Sequence, residues 1–252
     1  MRALNVAGLV LTTLLVAGCV TEGEAAMTRS KPALTQAAAI NVQLGFQHLN
    51  EGRRADAVLK FERAIEQDPD NPAAYLGLAM VNEQVGDQRE ARRRYAQAAK
   101  VGHDDPVTRN AYGAFLCRQG EHAAAEAEFV ASSQMLRNQA PEEALANAGV
   151  CMRRAKQMEK SEQYLRSALQ LRPDYGPALF ELADLSFQRG DALRSRAFLQ
   201  RLLEANRPNS RVLLLAHRTE LALGDARAAQ RYAEQLRRDF PESDEVKELA
   251  KK

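Results

Sequence analysis

The chain has 252 residues, 45% hydrophobic, 27% charged and 6% aromatic, enough to bury a core in one large domain or two small ones. Its 35 Lys and Arg against 33 Asp and Glu leave a formal charge of +2, which argues against a general nucleic-acid binder. With 14 Gly, 9 Pro and 3 Cys, collagen-like, disordered and disulfide-built miniprotein classes are excluded as well.

Arg2 precedes an apolar run from Leu4 to Ala17 that is too short for a comfortable permanent membrane span. The run closes on Val16-Ala17-Gly18-Cys19, small residues that suit the narrow pocket of a signal peptidase. A Cys directly after them resembles the bacterial lipobox. Residues 1–18 are then a lipoprotein signal peptide, and Cys19, carrying acyl chains such as palmitate, becomes the mature N-terminus. The alternative is an ordinary secretory signal followed by a chance Cys. More than one acyl chain anchors stably, at roughly 0.8 kcal/mol per buried methylene. Val20 stands where inner-membrane lipoproteins often carry Asp, so this resemblance implies the outer membrane, lipid-anchored and facing the periplasm. Residues 19–37, small and polar with Pro32 among them, read as the lipidated N-terminus and a flexible tether.

The next stretch repeats. Frames begin at Ala38, Pro72, Pro106, Glu142, Gly176 and Ser210, with steps of 34, 34, 36, 34 and 34 residues. This is the tetratricopeptide (TPR) period. The eighth place holds Gly45, Ala79, Gly113, Gly149, Ala183 and His217, mostly small residues that let two helices approach closely. The fifteenth holds Gly52, Gly86, Gly120, Lys156, Gly190 and Gly224, where a helix end needs a left-handed residue. The twentieth is small throughout, from Ala57 to Ala229, and four places on come Phe61, Tyr95, Phe129, Leu165, Leu199 and Ala233. The spacing predicts an all-α, right-handed superhelical solenoid of six helix-turn-helix repeats at 38–71, 72–105, 106–141, 142–175, 176–209 and 210–242. The two extra residues of the longer step fall near Asn138 to Pro141, in an expected loop. A short helix over 243–252, capped by Ser243, closes the chain.

Catalytic chemistry is hard to find. His48, His103, His122 and His217 are scattered without metal-ligand spacing, and no phosphate loop, nucleophile elbow or zincin motif occurs. The acid pairs Asp104-Asp105 and Glu142-Glu143 stand at expected helix starts, where the helix dipole favours negative charge. The expectation is a binding protein and no enzyme, with no metal, no small-molecule substrate and no cofactor beyond the lipid on Cys19.

Cys117 is twelfth in the third frame and Cys151 tenth in the fourth, so both lie near the same height on neighbouring first helices. With Cys19 acylated, an even pair remains in an oxidising compartment. The pair forms either a disulfide across the third and fourth repeats or two buried free thiols.

In TPR arrays the concave face is lined by places two, five, nine and twelve of the first helix. Here these give an apolar strip containing Val42, Phe46, Leu49, Leu76 and Met80, an expected partner-binding groove. Further along, Asn110, Arg118, Arg153, Phe180 and Phe187, with Asp184, Arg211 and Arg218, form a mixed basic stripe. It reads either as a second groove steering an acidic peptide or as an ordinary solvated face.

Longer segments carry a sharper resemblance. Asn110-Ala-Tyr-Gly-Ala-Phe-Leu-Cys117 and Asn147-Ala-Gly-Val-Cys151 resemble segments of the type IV pilus biogenesis and stability lipoproteins, the PilF/PilW pilotin family. Ala178-Leu-Phe-Glu-Leu-Ala-Asp184 and Ser210-Arg-Val-Leu-Leu-Leu215 are similar to segments of the same family. The resemblance implies a monomer that binds the outer-membrane secretin of the type IV pilus through its N-terminal repeats and promotes secretin localisation and multimerisation. The alternative is another outer-membrane TPR lipoprotein, a β-barrel assembly component or a peptidoglycan-hydrolase adaptor.

Overall fold

The computed structural model describes residues 31–205 and 207–249. The expected signal peptide, Cys19 and most of the expected tether lie outside the described residues, as do the last residues of the expected C-terminal helix. All the regular structure described is helical, and it follows the expected frames.

Six hairpins run α1 (Lys31–Asn50) with α2 (Arg54–Gln67), α3 (Pro72–Gln84) with α4 (Gln88–Val101), and α5 (Pro106–Arg118) with α6 (His122–Ser133). They continue with α7 (Pro141–Arg154) and α8 (Met158–Leu171), α9 (Gly176–Gln188) and α10 (Ala192–Ala205), and α11 (Ser210–Ala222) and α12 (Ala226–Asp239). A short α13 (Asp244–Leu249) packs against α11 and α12, and Ser243 Oγ accepts from the Val246 amide at 3.3 Å.

One boundary differs from expectation. Residues 31–37, read from sequence as the end of the tether, are the first turns of α1. Pro32 stands in the first turn, where its missing N–H costs no intrahelical bond, so it does not hold the chain out of the helix.

Helix starts follow from local chemistry. Asp105 Oδ1 and Oδ2 accept from the Val107 and Thr108 amides, and Asp87, Asn71, Asn209 and Asp225 cap their helices in the same way. Turns within the hairpins reverse on a left-handed residue. Gly52, Gly86, Gly120, Gly190 and Gly224 have φ between 75° and 84°, and Lys156 takes the same place at 60°. The loop between α6 and α7 absorbs the two extra residues. Asn138 ties it down, donating to Ser132 O at 2.8 Å and accepting from the Ala140 amide at 2.8 Å.

The core forms where a bulky residue of each second helix meets small residues of the first helices. Phe61, Phe129 and Leu165 are fully buried against Gly45, Gly113 and Gly149. Burying such a side chain contributes about 2–3 kcal/mol. The backbone of each first helix comes close to that of the next first helix, α1 with α3 through to α9 with α11. Successive second helices stand further apart and meet through long side chains, such as Tyr164 of α8 with Glu126 of α6. The array therefore curves with its first helices inside, and they line the concave face.

Candidate functional site

The apolar strip expected on the concave face is partly closed. Leu49 is 5% exposed and Leu76 6%. Because the first helices lie side by side, these two places turn toward the neighbouring helix instead of the groove. Leu49 packs with Phe61, Leu78 and Val81, and Leu76 packs with Phe115 and Leu116 of the third repeat. They are floor, not docking surface. Val42, Phe46 and Met80 remain half-buried, each with an apolar face left open. Phe46 stands edge-on to Phe61, with ring centroids 5.0 Å apart, and Met80 bridges the cores of the first three repeats.

Most of the basic stripe is paired within the chain. Arg118 makes two bonds to Glu83, at 2.6 and 2.8 Å, and Tyr95 donates to the same carboxylate at 2.8 Å. Burial and then the Glu83 charge push the Tyr95 phenol well above its ordinary range. Arg153 pairs with Glu181 at 2.6 Å and with Asp184. Arg218 reaches Glu248 on α13. Asn110 donates to Glu143 at 3.2 Å and accepts from Asn147 at 3.1 Å.

The Arg118, Arg153 and Asn110 contacts link first helices of successive repeats, so this part of the stripe is a ladder that sets their register. As partly exposed pairs, each contributes about 1 kcal/mol or less to stability. The positive charge expected to steer an acidic peptide is neutralised at Arg118, Arg153 and Arg218. Phe187 is half-buried against the fifth-repeat core, and Phe180 is half-buried beneath Arg211, whose guanidinium lies 5.0 Å from the ring centre.

Cys117 and Cys151 are joined by a disulfide, with Cα atoms 5.8 Å apart, on the facing first helices α5 and α7. Both cysteines are buried. The four histidines stay apart. His217 Nδ1 lies 2.9 Å from Ala229 O, and His103 faces Asp104 at 3.2 Å. Among the described residues no group of three or more metal-donor side chains comes together, and no helix is long and apolar enough to cross a membrane.

Sequence reasoning missed the inter-repeat ladder and a hollow between α7, α9 and α11. The ladder leaves a trace, an acid and an arginine about one repeat apart (Glu83 and Arg118, Arg153 and Asp184), which periodic analysis of charge can find. The hollow gathers Asn147 and Val150 of α7 with Phe180 of α9 and Arg207 ahead of α11, and leaves no such trace.

Comparison with known proteins agrees with this geometry. The chain is 25% identical over 232 residues to the type IV pilus assembly protein PilF of Pseudomonas aeruginosa, covering 92% of each chain. Among solved structures it superposes on PilW, described as a widely conserved type IV pilus biogenesis factor, with a TM-score of 0.74 and 28% identity over 85% of this chain and 99% of that one. The Pseudomonas aeruginosa PilF structure gives a TM-score of 0.72 at 25% identity, over 86% of this chain and 98% of that one. The tetratricopeptide repeat family matches residues 48–114 and 152–218, together just over half of the sequence. The chain belongs to the tetratricopeptide repeat family.

Proposed function

We propose that this chain is a type IV pilus biogenesis factor of the pilotin kind. It binds the outer-membrane secretin as a monomer, without catalysis, and promotes the secretin's localisation and multimerisation. The observation that carries this reading is likeness along almost the entire chain, 92% of it and 92% of PilF, since TPR repetition alone accounts only for the fold. Two features of the chain support it. The lipobox-like ending at Cys19 supplies an anchor in the outer membrane. The open faces of Val42, Phe46 and Met80, over a floor of Leu49 and Leu76, offer an apolar seat at the N-terminal end of the concave face. An apolar secretin segment docks there, and the lipid carries the complex to the membrane.

Site-specific photocrosslinking in cells tests the docking. A crosslinker in place of Val42 is expected to capture the secretin. One in place of Leu59, exposed on α2, is expected not to. Equal capture at both positions, or capture of other proteins only, would remove the N-terminal groove from the account.

A further inference from the structure

The C-terminal half of the concave face holds a cavity of about 370 Å³ between α7, α9 and α11. That size accepts one large apolar side chain with room for its backbone. Val150, Phe180 and Leu202 supply apolar wall, and Asn147, Arg207 and Arg211 supply polar rim.

The charges at this rim differ from those of the rest of the stripe. Arg118, Arg153 and Arg218 are each held by a carboxylate, whereas Arg207 and Arg211 have no carboxylate partner among the described residues. Glu181, the acid in the cavity wall, is already committed to Arg153 at 2.6 Å. Arg211 is held over the Phe180 ring, which places a positive charge at the edge of an apolar hollow.

Phe180 and Arg211 also line a second hollow with Leu214, Leu215 and Arg218, where Asp184, Glu245 and Glu248 add carboxylates. The two hollows share this wall. The carboxylates of the second hollow disfavour an acidic ligand there, so the ligand's acid is placed on the side of the first, where Arg207 also stands.

We propose that this cavity binds an extended segment of a partner protein, seating an apolar side chain against Phe180 and pairing a nearby acidic side chain with Arg211. An extended chain advances about 3.3 Å per residue, and alternate side chains share a face. The 5.0 Å between the ring and the guanidinium thus favours an acid two residues from the apolar anchor. The pairing is charge-assisted, so it weakens with salt.

The probe is a phage-displayed library of random dodecapeptides, panned against the full chain in detergent and followed by anisotropy titration of the selected peptides. The expected winners carry Asp or Glu within three residues of a large apolar residue. Arg211→Glu is expected to weaken them about tenfold or more, and Arg211→Gln by less. Both are substitutions at one exposed position, and thermal melts confirm the fold. Phe180→Leu, which stays apolar but removes the ring face, is expected to weaken binding, while Leu59→Asp, on the exposed face of α2, leaves it unchanged. Failure to enrich any sequence would overturn the proposal. So would winners without an acid, or affinities unchanged within twofold in Arg211→Glu.

Discussion

Phe61 of α2 occupies the space that a side chain on Gly77 of α3 would need. A Cβ at Gly77 would stand 2.2 Å from the ring, and one at Gly45 of α1 would stand 2.6 Å from it. The ring is thus clasped between first helices of two successive repeats, and it fixes how closely the first repeat can stack on the second. Gly77→Ala is expected to destabilise the array by about 1–3 kcal/mol through overpacking. In a Phe61→Leu background the same substitution costs less, because the ring edge is gone. A double-mutant cycle by chemical denaturation checks this, and additive effects would mean that the two residues do not constrain each other.

The Cys117–Cys151 disulfide closes a 34-residue separation across the repeats on either side of the lengthened loop. Loop-closure entropy for such a separation is worth about 3–4 kcal/mol. Reduction, or a double Cys→Ser variant, is expected to lower stability by up to that amount while leaving helix content intact at room temperature. Alkylation of the unreduced protein followed by mass spectrometry checks the bond itself, and modification of both cysteines would contradict it.

Lys156 adopts φ 60° at a place where the five equivalent residues are glycine. A left-handed conformation costs a side-chain-bearing residue about 1–2 kcal/mol, and glycine returns part of that gain through its looser unfolded state. Lys156→Gly is therefore expected to stabilise the protein by about 0.5–1 kcal/mol. A shift of the denaturation midpoint to higher denaturant is the readout.

Tyr164 donates to Glu126 at 2.7 Å, and burial, followed by that carboxylate, pushes its phenol up from 10.0 to about 12. Tyr95 moves in the same direction for the same reasons, with Glu83 as its acceptor. In the unfolded chain both ionise near pH 10, while in the fold they keep their protons. The stability this contributes is complete below pH 10 and is lost for Tyr164 as pH rises from 10 to about 12, and for Tyr95 at still higher pH. Tyr164→Phe is expected to flatten the fall in stability over that window. Phenolate absorbance followed through an alkaline titration reads the same shift directly.

The repeat frames made the fold legible, because close packing of a ring on a glycine and reversal on a left-handed residue each demand one residue type at one place. Phe61 and Gly52 could be assigned their roles before any coordinate was known. The concave face was less legible. Leu49 and Leu76 occupy places that TPR geometry assigns to the groove, yet a small rotation about the helix axis turns them into the seam between neighbouring first helices. The roles of Arg118 and Arg153 stayed open between a groove and a solvated face because a sequence does not show which carboxylate a side chain reaches across a repeat boundary. The start of α1 was misread because polar composition and Pro32 resemble a linker, while a first-turn proline is compatible with helix.

The most direct test of the central claim is secretin assembly in cells lacking this gene, measured as heat- and detergent-resistant multimers in outer-membrane fractions. Multimers are expected to be lost without the gene and restored by the wild-type chain. Cys19→Ala, which removes the anchor, and Val42→Asp, which places a charge in the N-terminal seat, are expected not to restore them. Normal multimers in the deletion strain would contradict the pilotin reading altogether.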